Sequence, residues 1–130
     1  MSRSILSVED RRVDEGTSAK YTAGITDESE EYIALSDLTA ITLTLYDYAT
    51  GTIINSREDQ DVKNTNDVVI SITGLLTWTM KPADNIIVTA AMHKNAYEKH
   101  VALFEYTWDS GTNAGKHELE FEVRQINKVT

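Results

Sequence analysis

Strict alternation of apolar and charged side chains near the C-terminal end constrains this chain more than any other feature. His117, Leu119, Phe121 and Val123 alternate with Glu118, Glu120, Glu122 and Arg124. A period of two sends one set to a buried face and the other to water, which is the geometry of a β-strand. The same period recurs upstream. Ala19, Tyr21, Ala23 and Ile25 alternate with Lys20, Thr22 and Gly24, and Ile41, Leu43 and Leu45 with Thr42, Thr44 and Tyr46. Leu76, Trp78 and Met80 form a further row, as do Ala102, Phe104, Tyr106 and Trp108. No extended helical period competes with these rows.

Turn signals separate the rows. Asp47 to Thr52 closes a hairpin around Gly51, with Ile53-Ile54-Asn55 starting the return strand. Asn64 to Asp67 and Thr73-Gly74 punctuate a strand over 68–72, and Lys81 to Asn85 breaks the ladder at Pro82, where a short helical turn fits. Residues 88–99 are expected to form a long surface loop. The last two rows, 100–108 and 116–124, are expected to pair as a hairpin. Seven or eight short strands at such spacing predict an all-β, two-layered fold over residues 18–130, a sandwich or a barrel. Residues 1–17 are expected to form an N-terminal arm or edge strand. There, Ile5, Leu6, Val8 and Val13 stand among charges and are the candidate partner interface.

Composition narrows function by exclusion. The 130 residues carry 12 basic and 21 acidic side chains, a formal charge of −9 that disfavours nucleic-acid phosphates and anionic membranes. Residues 1–65 account for −7 of it (6 basic, 13 acidic) and residues 66–130 for −2 (6 basic, 8 acidic). There is no cysteine, hence no disulfide, thiolate metal site or cysteine nucleophile. The first residues lack the apolar run of a signal peptide, so a cytoplasmic start is expected.

The chemistry-bearing side chains give no catalytic set. His93, His100 and His117 have no metal-ligand spacing, although His100 and His117 flank the expected hairpin as candidate cross-strand neighbours. Asp59, Asp61, Asn64, Asn66 and Asp67 form an oxygen-rich loop, and Asp27, Glu28, Glu30 and Glu31 a second acidic run. Neither has the ordered ligand spacing of a calcium loop, and solvated turns explain both. No nucleophile elbow, phosphate-cradling loop or dinucleotide fingerprint occurs. The expectation is a non-enzymatic chain with no cofactor and no bound metal.

Several segments resemble small immunoglobulin-like virion proteins of tailed bacteriophages. They are Asp37 to Asp47 followed by Thr50 to Asn55, Leu75 to Asn85, and the pair Ala102–Trp108 with Gly115–Phe121. The plan is similar to the N-terminal domain of phage baseplate upper proteins, over roughly residues 15–125. The resemblance implies an immunoglobulin-like antiparallel β-sandwich, and a structural component of the virion that assembles symmetrically at the neck or head–tail connector, the tail or the capsid surface. It implies other virion proteins and further copies of the chain as partners, and the host cytoplasm as the place of assembly. The alternative is a carbohydrate- or receptor-binding module, which a cleft lined by exposed Tyr48, Tyr97 or Trp108 would favour.

Overall fold

The computed structural model describes residues 12–89 and 96–126. Its strands are β1 (Arg12–Asp14), β2 (Ala19–Gly24), β3 (Leu38–Asp47), β4 (Gln60–Asp61), β5 (Val68–Ile70), β6 (Leu75–Met80), β7 (Tyr97–Trp108) and β8 (Asn113–Arg124). They form two sheets, ordered β1-β8-β7-β3-β4 and β2-β6-β5. This is the immunoglobulin order, with the strands equivalent to G, F and C in one sheet and B, E and D in the other. All pairings are antiparallel except β1 with β8, which run parallel.

The apolar rows become the core as alternation requires. Leu43, Leu45, Trp78, Phe104, Phe121 and Val123 are buried between the sheets. In antibody domains a disulfide joins the strands equivalent to β2 and β7. Here Tyr21 and Phe104 stack at 6.4 Å between centroids, and the Trp78 ring meets Phe104 edge-on at 5.8 Å. Ring packing of this kind adds about 0.5–1.5 kcal/mol per pair beyond area burial.

Turn chemistry explains where strands stop. Gly74 has φ +96°, and the Ile33 carbonyl occupies the space a Cβ would need, so glycine is required there on two counts. The expected return after Gly51 forms only briefly: the Asp47 N–H donates to the Thr52 carbonyl at 2.9 Å, Tyr46 bridges Ile53, and the Ile54 N–H donates to the Leu45 carbonyl at 2.9 Å. It stops there, because Asn55 and Ser56 both adopt positive φ and Ile54 drops into the core. Pro82 opens a 3-10 turn, Pro82–Asn85, as its fixed φ and missing N–H allow.

Three sequence expectations need correction. The expected loop over 88–99 gives way to strand at Tyr97, because alternation runs back from Ala102 through His100 and Glu98; residues 90–95 lie outside the described residues. His117 stands opposite Phe104 and His100 opposite Phe121, so the two histidines are not cross-strand neighbours. Val13 is a core residue, buried and paired with Val123, rather than a free partner contact. β1 is thus an edge strand of the large sheet. Ile5, Leu6 and Val8 lie outside the described residues.

Candidate functional site

Two polar clusters sit where an apolar interior would be the simpler solution. The first grows from the oxygen-rich loop. Arg57, buried between that loop and the 3-10 turn, donates from Nε to Asp84 Oδ1 at 2.6 Å and from Nη2 to Asp84 Oδ2 at 3.2 Å. Its Nη1 reaches Gln60 Oε1 at 2.6 Å and the Asn66 carbonyl at 3.0 Å, while Nη2 also meets Asp67 Oδ2 at 3.0 Å. Asn55 Nδ2 and the Lys81 N–H complete the shell of Asp84, each at 2.8 Å. A planar guanidinium suits this forked, multi-acceptor arrangement. Asn55, Asp59, Asn64, Asn66 and Asp67 all hold positive φ, which Asn and Asp tolerate best after glycine. The loop's oxygens therefore serve turns and an arginine clasp.

The second cluster lies on the core face at the C-terminal end of β3. Alternation carries Leu43 and Leu45 on to Asp47, and Phe104 and Ala102 back to His100 and Glu98. Asp47 is paired with His100 in the β3–β7 register. His100 Nε2 lies 2.6 Å from Glu98 Oε1 and 3.9 Å from Asp47 Oδ1. Glu98 also accepts the N–H groups of Val88 at 2.7 Å and Thr89 at 2.8 Å. Burial alone would raise the Glu98 carboxyl, but bonds from Val88, His100 and Thr89 outweigh it and hold the group below its ordinary value. Asp47 Oδ2 takes the Thr50 N–H at 3.1 Å and hydroxyl at 2.7 Å. Asp47 Oδ1 and His100 Nδ1 are buried without a hydrogen-bond partner. The His100 ring is braced edge-on by Phe121 at 5.8 Å.

This geometry brings together a set of groups that the sequence reading did not single out. The ligand atoms of Asp47, Glu98 and His100 all lie within 4.8 Å of one another. Histidine spacing could not reveal it, since two of the three groups are carboxylates and Asp47 comes from a different strand. The available signal was parity: each of the three falls on the inward position of an otherwise apolar row.

His117 has a different role. Its ring stacks on Tyr21 at 5.9 Å and its Nε2 is hydrogen-bonded to the Tyr21 hydroxyl. The aromatic residues named for a sugar cleft do not come together. Trp108 is buried, tilted against Tyr106 at 5.8 Å. Tyr48 and Tyr97 are exposed, but Lys99 covers the Tyr48 ring at 4.8 Å and Arg12 the Tyr97 ring at 4.7 Å.

The outer side of the large sheet offers an edge instead. All twelve residues of β8 pair with β7, whereas on its other side, among the described residues, only Glu122–Arg124 pair, with β1. Among the described residues, the edge from Asn113 to Phe121 has no neighbouring strand. No described helix is long and apolar enough to cross a membrane. No family model matches the chain, and no curated protein or solved structure is significantly similar to it.

Proposed function

We propose that this chain is a non-catalytic structural module that assembles with further copies of itself, docking the segment before β1 of one copy on the open β8 edge of the next. The observation that carries this reading is that edge. β8 runs for twelve residues, yet among the described residues it is paired on both sides only over Glu122–Arg124. Unpaired backbone along an edge strand is a template for an added strand.

The occupant follows from where the chain enters the fold. β1 lies on the same edge, and residues 2–10, with Ile5, Leu6 and Val8, precede it in the sequence. Backward extension of β1 in its own register is disfavoured, because alternation from buried Val13 would bring Arg11 and Glu9 to the core side. A neighbouring copy has no such register to obey. Burying three aliphatic side chains there contributes about 1.5–3 kcal/mol each before the entropy of ordering is subtracted. Head-to-tail docking of this kind closes into a ring when the rotation per copy permits.

The setting we propose is a tailed-phage virion, at the neck, tail or capsid surface, with other virion proteins as neighbours. The sequence resemblance over residues 15–125 supports it, and the acidic charge is compatible with a protein-only partner set.

Sedimentation velocity of the full chain and of a variant lacking residues 2–10 tests the docking. The cut stops short of β1, because Val13 belongs to the core. The full chain is expected to self-associate, and the truncated chain to stay monomeric with unchanged β-type circular dichroism. A full chain that remains monomeric at high micromolar concentration, or a truncated chain that assembles equally well, overturns the proposal.

A further inference from the structure

The charge balance of the Asp47 cluster is unexplained by anything above. Two carboxylates and one imidazole are all but excluded from water, at 1 %, 6 % and 0 % residual exposure for Asp47, Glu98 and His100. Among the described residues, no arginine or lysine pairs with either carboxylate. Buried ionised carboxylates without a counter-charge are costly enough that folds rarely keep them. The other cluster shows how this fold answers the problem elsewhere, by placing Arg57 on Asp84.

We propose that Asp47 Oδ1, a Glu98 carboxylate oxygen and His100 Nε2 bind one divalent transition-metal ion of the zinc class. A dication supplies the missing positive charge at the point where the three groups converge. Ligand atoms around such an ion, bonded at about 2.0–2.2 Å, stand about 3.4 Å apart in a tetrahedral arrangement. The observed separations from His100 Nε2, 3.9 Å to Asp47 and 2.6 Å to Glu98, straddle that value. Opening the shorter contact by less than about 1 Å admits the ion at this bond length.

The orphan atom points the same way. Thr50 fixes Asp47 through Oδ2 and leaves Oδ1 unpaired toward His100 Nε2, and an unpaired buried oxygen calls for a partner. Thr50 on Asp47 and the Val88 and Thr89 N–H groups on Glu98 act as the outer shell that orients metal ligands. The imidazole would bind the ion through the lone pair of Nε2, with any proton on that atom released or carried on Nδ1. Three protein ligands including an imidazole suit zinc and its neighbours, with water completing the sphere. Calcium, which takes six to eight oxygens, does not fit. A bound ion would tie the end of β3 to the start of β7 and, through Glu98, to the 86–89 segment.

The test uses the full wild-type chain, stripped with EDTA and titrated with Zn2+, and with Co2+ as the spectroscopic probe. Saturation at one equivalent is expected, with visible Co2+ ligand-field bands and a higher melting temperature. The imidazole nitrogen resonances of His100 should shift while those of His117 stay in place. His100→Gln should weaken Zn2+ binding at least about tenfold, the scale of losing one group of a metal site. If that variant fails to fold, the wild-type nitrogen resonances decide the matter alone. Unshifted His100 resonances at excess Zn2+ overturn the proposal. So does undiminished Zn2+ binding by a folded His100→Gln chain, which would place the ion elsewhere. Ca2+ in place of Zn2+ should leave the His100 resonances unmoved; a shift of equal size would overturn the assignment to a transition metal.

Discussion

The two buried polar clusters of this sandwich solve the same problem in opposite ways. Arg57 and Asp84 neutralise one another, and every polar atom of the pair has a partner. Asp47, Glu98 and His100 bring two carboxylates and one imidazole together with no arginine or lysine beside them among the described residues, and with a buried oxygen and a buried nitrogen unpaired. The first cluster is a closed structural clasp that fastens the 55–67 loop to the 3-10 turn. The second is closed only on its outer side, by Thr50, Val88 and Thr89. Complete satisfaction marks a part of the fold; a pre-oriented but incomplete set marks a place for something else.

The largest effect expected from breaking the comparison is at the clasp. Asp84→Ala leaves Arg57 buried without its main counter-charge, and should cost about 3–5 kcal/mol in urea denaturation. Phe121→Ala should cost a similar amount, about 3–5 kcal/mol from lost transfer energy plus a cavity. It falls at the lower end of that range if water enters beneath His100 and solvates the second cluster. A Phe121→Ala chain melting within a few degrees of wild type would refute the inward assignment of β8.

Glu98→Gln should cost less, about 1–3 kcal/mol at neutral pH, the worth of hydrogen bonds to a charged acceptor. Its pH dependence sharpens the contrast. The folded carboxyl titrates below its ordinary value of 4.5, so ionised Glu98 stabilises the fold above that pH. The contribution disappears as pH falls through the folded value. Wild-type stability should therefore drop more steeply below pH 4.5 than that of Glu98→Gln. Parallel curves would show that the Val88 and Thr89 bonds do not favour the ionised form.

The smallest effect is expected at Asp47. In EDTA, Asp47→Asn removes one uncompensated buried charge while its amide oxygen still accepts from Thr50. Stability should change by no more than about 1 kcal/mol, in the stabilising direction. A loss as large as that of Asp84→Ala would mean that the second cluster is also a closed clasp, and the comparison would fail.

Period two by itself determined the main strands of this protein and which face of each is buried. The rows through Leu43, Trp78, Phe104 and Phe121 were legible because each inward position is apolar and a one-residue slip would bury Thr44 or Glu120 instead. The early end of the return strand after Gly51 was not legible, since positive φ at Asn55 and Ser56 goes with Ile54 reaching the core and Arg57 reaching Asp84. Neither was the Asp47, Glu98 and His100 set. Their positions on inward rows were written in the alternation, but polar residues there look like a strand ending. Only the β3–β7 register, which sets Asp47 opposite His100, brought a carboxylate from one strand to an imidazole on another. Faces are fixed by local stereochemistry along one strand. Neighbours across strands are fixed by how the whole chain pairs, and the candidate site consists of neighbours.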